Sequence, residues 1–147
     1  MITIETSIEI RRPVEAVFAF VADSRNEAKW EETVKAVRVT PDGPPAVGTR
    51  VTKVGTFLGV KLEVTNEITA LEPNRELRVK GISGPRGASM EATMRFEAVG
   101  EGTRLNFTTQ METGGLFKVA GPLLASQAKK QLEADLQRLK ELLEAQG

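Results

Sequence analysis

The chain has 147 residues, of which 40% are hydrophobic and 27% charged, the proportions of a soluble globular domain. Twenty basic residues balance twenty acidic ones, so nothing in the net charge indicates a nucleic acid or an anionic membrane as partner. The sequence contains no His, Cys or Tyr. These absences exclude Ser-His-Asp and Cys-His catalysis, zinc sites built from Cys and His, haem ligation by His or Cys, and disulfides.

The length fits one domain spanning residues 1–147. The first residues show neither the basic segment nor the apolar segment of a signal peptide. No apolar run approaches the roughly 20 residues that a membrane-spanning helix needs. We therefore expect a cytoplasmic protein with no stable membrane insertion, no nucleic-acid partner, no cofactor and no bound metal.

The N-terminal part of the chain predicts a strand followed by two helices. Isoleucines alternate with polar residues over residues 2–10, which is typical of a strand with one buried face. An apolar stripe at helical spacing then extends from Pro13 to about Asp23. Ser24, with Glu27 three residues later, predicts a capping box and a second short helix that ends near Trp30.

The middle of the chain predicts six more strands joined by short turns. Period-2 alternation, bounded by Gly, Pro and Asn, places these strands over residues 34–40, 49–57, 60–72, 77–79, 90–96 and 105–111. Gly59 marks a hairpin or a bulge. The segment Gly81–Gly87 is glycine-rich and is interpreted as a rim loop that controls entry to a pocket.

The C-terminal part predicts one long amphipathic helix. From about Phe117 to Ala145, apolar residues recur every three or four positions. Gly121-Pro122 falls in the first turns and should kink or restart the helix. The element order is then β-α-α-β6-α, which predicts an α+β fold. A curved antiparallel sheet of about seven strands would wrap around the C-terminal helix and enclose an internal apolar cavity.

Five motifs occur in order along the chain. They are Arg12-Pro13-Val14-Glu15-Ala16-Val17-Phe18, the set Asp23, Asn26 and Trp30, then Val47-Gly48-Thr49-Arg50, Glu72-Pro73-Asn74-Arg75-Glu76-Leu77 and Leu132-Glu133-Ala134-Asp135-Leu136-Gln137-Arg138-Leu139-Lys140. Together they resemble the START-like, helix-grip (SRPBCC) superfamily, and within it the polyketide cyclase/dehydrase and lipid-transport group. The resemblance covers essentially the whole chain.

The resemblance implies a helix-grip fold with a pocket for a hydrophobic molecule. The leading expectation is binding or transport of a small hydrophobic ligand, such as a lipid, an isoprenoid or a polyketide-like aromatic. One alternative is a polyketide cyclase or dehydratase that acts mainly by positioning its substrate. Another is a co-chaperone-like interaction module with a filled core. The edge strand over residues 34–40 could also pair with a second copy, which would give a homodimer.

Strand alternation assigns the side chains that face the cavity. Asn66 shares the inner face with Val64 and Ile68, and a buried amide without partners costs about 1–3 kcal/mol. Its amide either bonds to a ligand or bonds to backbone at a bulge. The predicted ligand-binding residues on the strands are Phe57, Val64, Asn66, Met90, Met94, Phe96, Phe107, Thr109 and Met111. On the C-terminal helix, Phe117 is expected at the rim and Leu124 in the lining, and the resemblance implies that Trp30 lies beside the cavity mouth. No catalytic residue is predicted.

The direction of Lys53 is open from alternation alone. One phase of its strand places Val51 and Lys53 inside, and the other places Thr52 and Val54 inside. Because Lys is seldom buried without a partner, an outward Lys53 is favoured. The strand glutamates fall on outward faces, so the sequence predicts no inward pair of carboxylates for acid–base chemistry. They are Glu63, Glu67, Glu91 and Glu97.

Overall fold

The computed structural model describes residues 2–57, 59–83, 88–113 and 117–147. Within these ranges the side chains of Phe57, Ala88, Ser89, Thr113, Leu124 and residues 117–121 lie outside the description. The strands are β1 (Ile2–Ile10), β2 (Val34–Thr40), β3 (Arg50–Phe57), β4 (Val60–Glu72), β5 (Glu76–Ser83), β6 (Ala88–Val99) and β7 (Gly102–Thr113). The helices are α1 (Val14–Ala22), α2 (Glu27–Trp30) and α3 (Phe117–Gln146). This order confirms the predicted β-α-α-β6-α arrangement.

The seven strands form one antiparallel sheet in the order β1-β7-β6-β5-β4-β3-β2. Consecutive strands from β2 to β7 are neighbours, as short turns require, and β1 pairs with β7 to complete the sheet. The predicted curved sheet with a C-terminal helix, the helix-grip arrangement, is confirmed. Gly59 turns the β3–β4 hairpin with φ +79°, a conformation that favours glycine.

The C-terminal half of α3 is fixed firmly against β1. Leu136, Leu139 and Leu143 are fully buried at the three- and four-residue spacing of the apolar stripe. Polar contacts hold the same half. The Lys140 ammonium donates to the carbonyl of Glu9 at 2.7 Å, and the backbone N–H of Arg11 donates to the Glu144 carboxylate at 2.9 Å. The end of β1 is thereby tied to the last turns of the helix.

The capping-box prediction is wrong. A short 3₁₀ turn, Ser24–Asn26, leads directly into α2, and its N-cap is Asp23, whose carboxylate accepts the N–H of Arg25 at 3.2 Å. Glu27 instead lies 3.2 Å from the Lys53 ammonium. A charged partner in a buried position outcompetes a backbone amide for that carboxylate.

Two further boundaries differ from the sequence prediction. β5 continues to Ser83, so the first part of the predicted glycine-rich loop is strand, while residues 84–87 lie outside the description. Gly81 pairs with Asn66 of β4, and this pairing extends β5 beyond the predicted end of the strand. α3 passes through Pro122 as one helix, so the predicted restart does not occur.

Candidate ligand-binding site

A cavity of about 230 Å³, partly open to the surface, lies between the inner face of the sheet and helices α2 and α3. Most of its lining is apolar. The lining residues are Ile4, Ser24, Glu27, Trp30, Glu31, Val51, Lys53, Asn66, Val79, Met90, Ala92, Met94, Phe107, Thr109, Met111, Ala128 and Leu132. Sites for drug-sized ligands typically measure about 300–1,000 Å³, so this cavity suits a smaller molecule.

The structure brings seven of the predicted site residues together around this cavity: Trp30, Asn66, Met90, Met94, Phe107, Thr109 and Met111. Val64 lines an adjacent hollow of about 190 Å³ on the far side of Lys53. Phe96 does not line the cavity, because its ring packs edge-on against Phe18 with centroids 5.0 Å apart. The side chains of Phe57, Phe117 and Leu124 lie outside the described residues.

The prediction of an outward Lys53 is wrong, and so is the prediction that no carboxylates point inward. Val51 and Lys53 share the inner phase of β3. The Lys53 ammonium lies 3.2 Å from Glu27 Oε2 and 3.3 Å from Glu31 Oε2. All three side chains are at most 17% exposed. Two carboxylates compensate the desolvation of one ammonium, which is the condition that lets a lysine lie inside.

Helical geometry explains why both carboxylates meet one lysine. Glu31 follows Glu27 by four residues, and its N–H bonds to the Glu27 carbonyl at 2.7 Å, so the two side chains lie one turn apart on one face. Trp30 lies between them in sequence and lines the same cavity. This spacing beside the predicted cavity tryptophan is the sequence signal that could have revealed the cluster.

The electrostatics of the cluster favour a protonatable Glu31. Burial raises the pKa of Glu31 to about 7; the Lys53 ammonium opposes this rise and the Glu27 carboxylate adds to it. Burial alone would lower the pKa of Lys53, but Glu27 and Glu31 outweigh it, so the pKa lies above its ordinary value. The cluster therefore carries a net charge of minus one or zero, depending on Glu31.

Helix α3 holds α2 in place through a second polar network. The Asp135 carboxylate, which is buried, accepts from the Glu32 N–H at 3.1 Å and from Gln131 Nε2 at 2.9 Å. Arg138 donates to Asp135 at 3.3 Å and to the Trp30 carbonyl at 2.9 Å. Because that carbonyl belongs to the last turn of α2, the network satisfies a helix end that would otherwise be unpaired.

Two buried polar atoms beside the cavity lack hydrogen-bond partners within the described residues, Trp30 Nε1 and Glu27 Oε2. Asn66, which is 5% exposed, also lines the cavity. Glu27 Oε2 is close enough to Lys53 for charge pairing, but the alignment is not that of a hydrogen bond. The bulge anticipated at Asn66 is present in the β4–β5 ladder, yet no described backbone group bonds to the amide.

A larger groove of about 980 Å³ lies at the other end of β1, β6 and β7. Glu9, Arg11, Glu15, Glu101 and Lys140 contribute to its lining, as do several backbone segments. These five charged side chains make the groove a poorer site for an apolar ligand than the cavity beside Trp30, whose lining carries three.

Across the described residues, no group of three or more His, Cys, Asp or Glu side chains could hold a metal ion. No helix formed by those residues is long and apolar enough to cross a membrane.

Solved structures with this fold include proteins from several bacteria. A START superfamily protein from Mycobacterium smegmatis has a TM-score of 0.85 at 16% identity, with 100% of each chain covered. TTHA0849 from Thermus thermophilus has a TM-score of 0.84 at 21% identity, with 99% of each chain covered. The Zhui aromatase/cyclase from Streptomyces sp. R1128 has a TM-score of 0.81 at 18% identity, covering 97% of this chain and 93% of that one. At these identities the likeness shows the fold alone.

The sequence itself matches a family model over residues 1–144, under the description polyketide cyclase / dehydrase and lipid transport. No curated protein sequence matches the chain. A match across nearly the whole length, together with the helix-grip fold, confirms the resemblance carried by the five motifs. The chain belongs to the polyketide cyclase/dehydrase and lipid transport family.

Proposed function

We propose that this protein binds a small, mainly apolar molecule in its internal cavity. The observation that carries the proposal is the cavity of about 230 Å³, which apolar side chains from five strands and two helices enclose. Burying about 200 Å² of apolar ligand surface would contribute about 5 kcal/mol, before the costs of ordering the ligand. A co-chaperone-like module with a filled core would have no such hollow.

The cavity wall is suited to ligands of varied shape. Met90, Met94 and Met111 all contribute to it, and flexible, polarisable thioethers adapt to different apolar surfaces. Trp30 supplies a large rigid surface on the helical side. These features favour a lipid fragment, an isoprenoid or a compact aromatic molecule as ligand.

The first test is native mass spectrometry of the purified protein, followed by denaturing extraction of any bound molecule. A co-purifying hydrophobic molecule supports the proposal and gives its chemical class. Ala128→Leu should fill the cavity from α3 and lower occupancy at least tenfold. Ala134→Leu adds the same side chain on the exposed face of the same helix and should leave occupancy unchanged. Equal occupancy in both variants would place the molecule elsewhere.

A cyclase or dehydratase is the second candidate, and Glu31 is the observation that favours it. As a carboxylate, Glu31 would take a proton from the carbon between two carbonyl groups of a bound poly-β-ketone. The carbanion would attack a ketone carbon further along the chain, forming a C–C bond, and the new alkoxide would take the proton back from Glu31. With a pKa of about 7, this side chain exists in both required forms near neutral pH.

The enzyme candidate is tested by incubation with a poly-β-ketone mimic. The rate of cyclisation should rise with pH through about 7. In Glu31→Gln the rate should fall at least a hundredfold, which is the size of a general acid–base contribution. Glu63→Gln, which removes a carboxylate from the exposed face of β4, is the matched control. Cyclisation at the same rate in wild type and Glu31→Gln would eliminate this role for Glu31.

A further inference from the structure

We propose that the polar side of the cavity, formed by Glu27, Glu31, Lys53 and Asn66, selects apolar ligands that end in a neutral carbonyl or hydroxyl oxygen and rejects those that end in a carboxylate. This inference rests on the proposed ligand-binding function and adds the chemical class of the ligand's polar end. The four side chains are defined here as the polar subsite.

Charge balance provides the first step. Among the cavity-lining residues that the structure describes, Lys53 is the only cation, and Glu27 and Glu31 lie 3.2 and 3.3 Å from its ammonium. A carboxylate ligand would bring a third negative charge to a single positive one, among side chains that are at most 17% exposed and so weakly screened by solvent.

The surroundings of the cluster do not change that balance. Asp135 adds a negative charge near Glu31 from α3. Arg138, the cation on that side, is engaged by Asp135, by the Trp30 carbonyl and by Glu32 at 3.5 Å. It therefore has no free charge to offer to a ligand in the cavity.

Unpaired hydrogen-bonding groups provide the second step. Asn66 and Lys53 are diagonal neighbours on β4 and β3, since Lys53 pairs with Val64 two residues before Asn66. Asn66 is 5% exposed, and its side chain lines the same cavity, where its amide can reach a bound molecule. An ammonium has three N–H donors, and one of them donates to Glu31 Oε2 at 3.3 Å.

A neutral oxygen satisfies these groups without adding charge. A ketone or hydroxyl oxygen can accept from Lys53 and from the Asn66 amide, and a hydroxyl can also donate to Glu27 Oε2, which lacks a donor. A site with buried, unpaired hydrogen-bonding groups discriminates strongly in favour of the ligand that pairs them.

The test compares decanol with decanoate, which share a chain length and differ in charge at pH 8. Trp30 is the only tryptophan, the chain has no tyrosine, and Trp30 lines the cavity, so its fluorescence reports binding directly. We expect decanol to bind wild-type protein at least tenfold more tightly than decanoate. Decanoate affinity equal to or greater than that of decanol would overturn the inference while leaving the proposed function intact.

The double variant Glu27→Gln/Glu31→Gln tests the cause of the selectivity. With both carboxylates neutralised, the affinity for decanoate relative to that for decanol should rise at least tenfold. Glu63→Gln/Glu91→Gln removes two exposed carboxylates from the sheet and controls for net charge. An equal gain in this control would assign the effect to overall charge and overturn the inference. If neither ligand binds wild type, the proposed function itself fails.

Discussion

Replacing Lys53 by methionine would leave two carboxylates inside the protein without their cation. At an effective dielectric of about 20, each contact near 3.2 Å corresponds to roughly 5 kcal/mol of attraction. Most of that attraction only offsets desolvation, and breaking a buried ion pair by removing one partner typically costs about 3–5 kcal/mol. Lys53→Met should therefore lose about 3–5 kcal/mol of unfolding free energy at pH 8. At pH 5 the loss should be smaller, because Glu31 then takes up a proton.

Urea unfolding followed by Trp30 fluorescence measures this loss, with the exposed Lys61→Met as control at less than about 0.5 kcal/mol. The decisive comparison is the triple variant Lys53→Met/Glu27→Met/Glu31→Met. Replacing a whole buried cluster by apolar residues is often neutral or stabilising, so the triple variant should recover to within about 1 kcal/mol of wild type. If the triple variant is as unstable as Lys53→Met, the loss does not come from two buried carboxylates without a cation, and the reasoning from charge is refuted.

Four further outcomes are expected. Because the folded-state pKa of Glu31 lies above its ordinary value, the stability that protonated Glu31 contributes is present below about pH 4.5 and is lost as pH rises through about 7. The melting temperature of the wild type should therefore fall from pH 5 to 8 more steeply than that of Glu31→Gln. Parallel curves for the two proteins would contradict this expectation. Asp135→Ala removes the buried acceptor that holds α2 and should cost about 1–3 kcal/mol in urea unfolding; an unchanged midpoint would show that α2 needs no such support. In Gly55→Ala, the added Cβ would collide with the carbonyl oxygen of Thr33, so a loss of more than about 2 kcal/mol is expected by the same assay. A stable variant would disprove the close approach of these two backbone segments. Asn66→Leu should weaken decanol binding while leaving the melting temperature unchanged; a large drop in melting temperature with intact binding would make Asn66 structural.

The architecture could be predicted from the sequence because each element satisfies a local rule. Alternating isoleucines in β1 and leucines at three- and four-residue steps in α3 specify which face of each element is buried. Short turns between successive strands then leave an antiparallel meander as the simplest topology. Alternation also located six of the twelve proposed cavity residues, since a strand that exposes one face to a hollow lines it with every second side chain. The seventh, Trp30, lies on α2 and was expected there from the family resemblance.

The polar cluster could not be predicted, because its members come from distant parts of the chain. General experience that lysine avoids the interior favours an exposed Lys53 when β3 is considered alone. Glu27 and Glu31 change the outcome, but they act only after α2 folds over β3. The capping box failed for the same reason, since Glu27 has a better partner outside its own helix. Phe96 likewise points inward, but helix α1 supplies Phe18 to cover it.

The two halves of α3 have different neighbours, and amide hydrogen exchange should detect the difference. Leu136, Leu139 and Leu143 are fully buried and packed in the core, whereas Ala128 and Leu132 face a hollow. Because the part of α3 around Ala128 and Leu132 has fewer packing contacts, its helical hydrogen bonds can open locally without unfolding of the sheet. Amides around residues 125–132 should therefore exchange faster than those around 136–143. A molecule that fills the hollow would slow exchange mainly in the faster half, so occupancy could be followed by protection of the helix even where the ligand itself gives no signal.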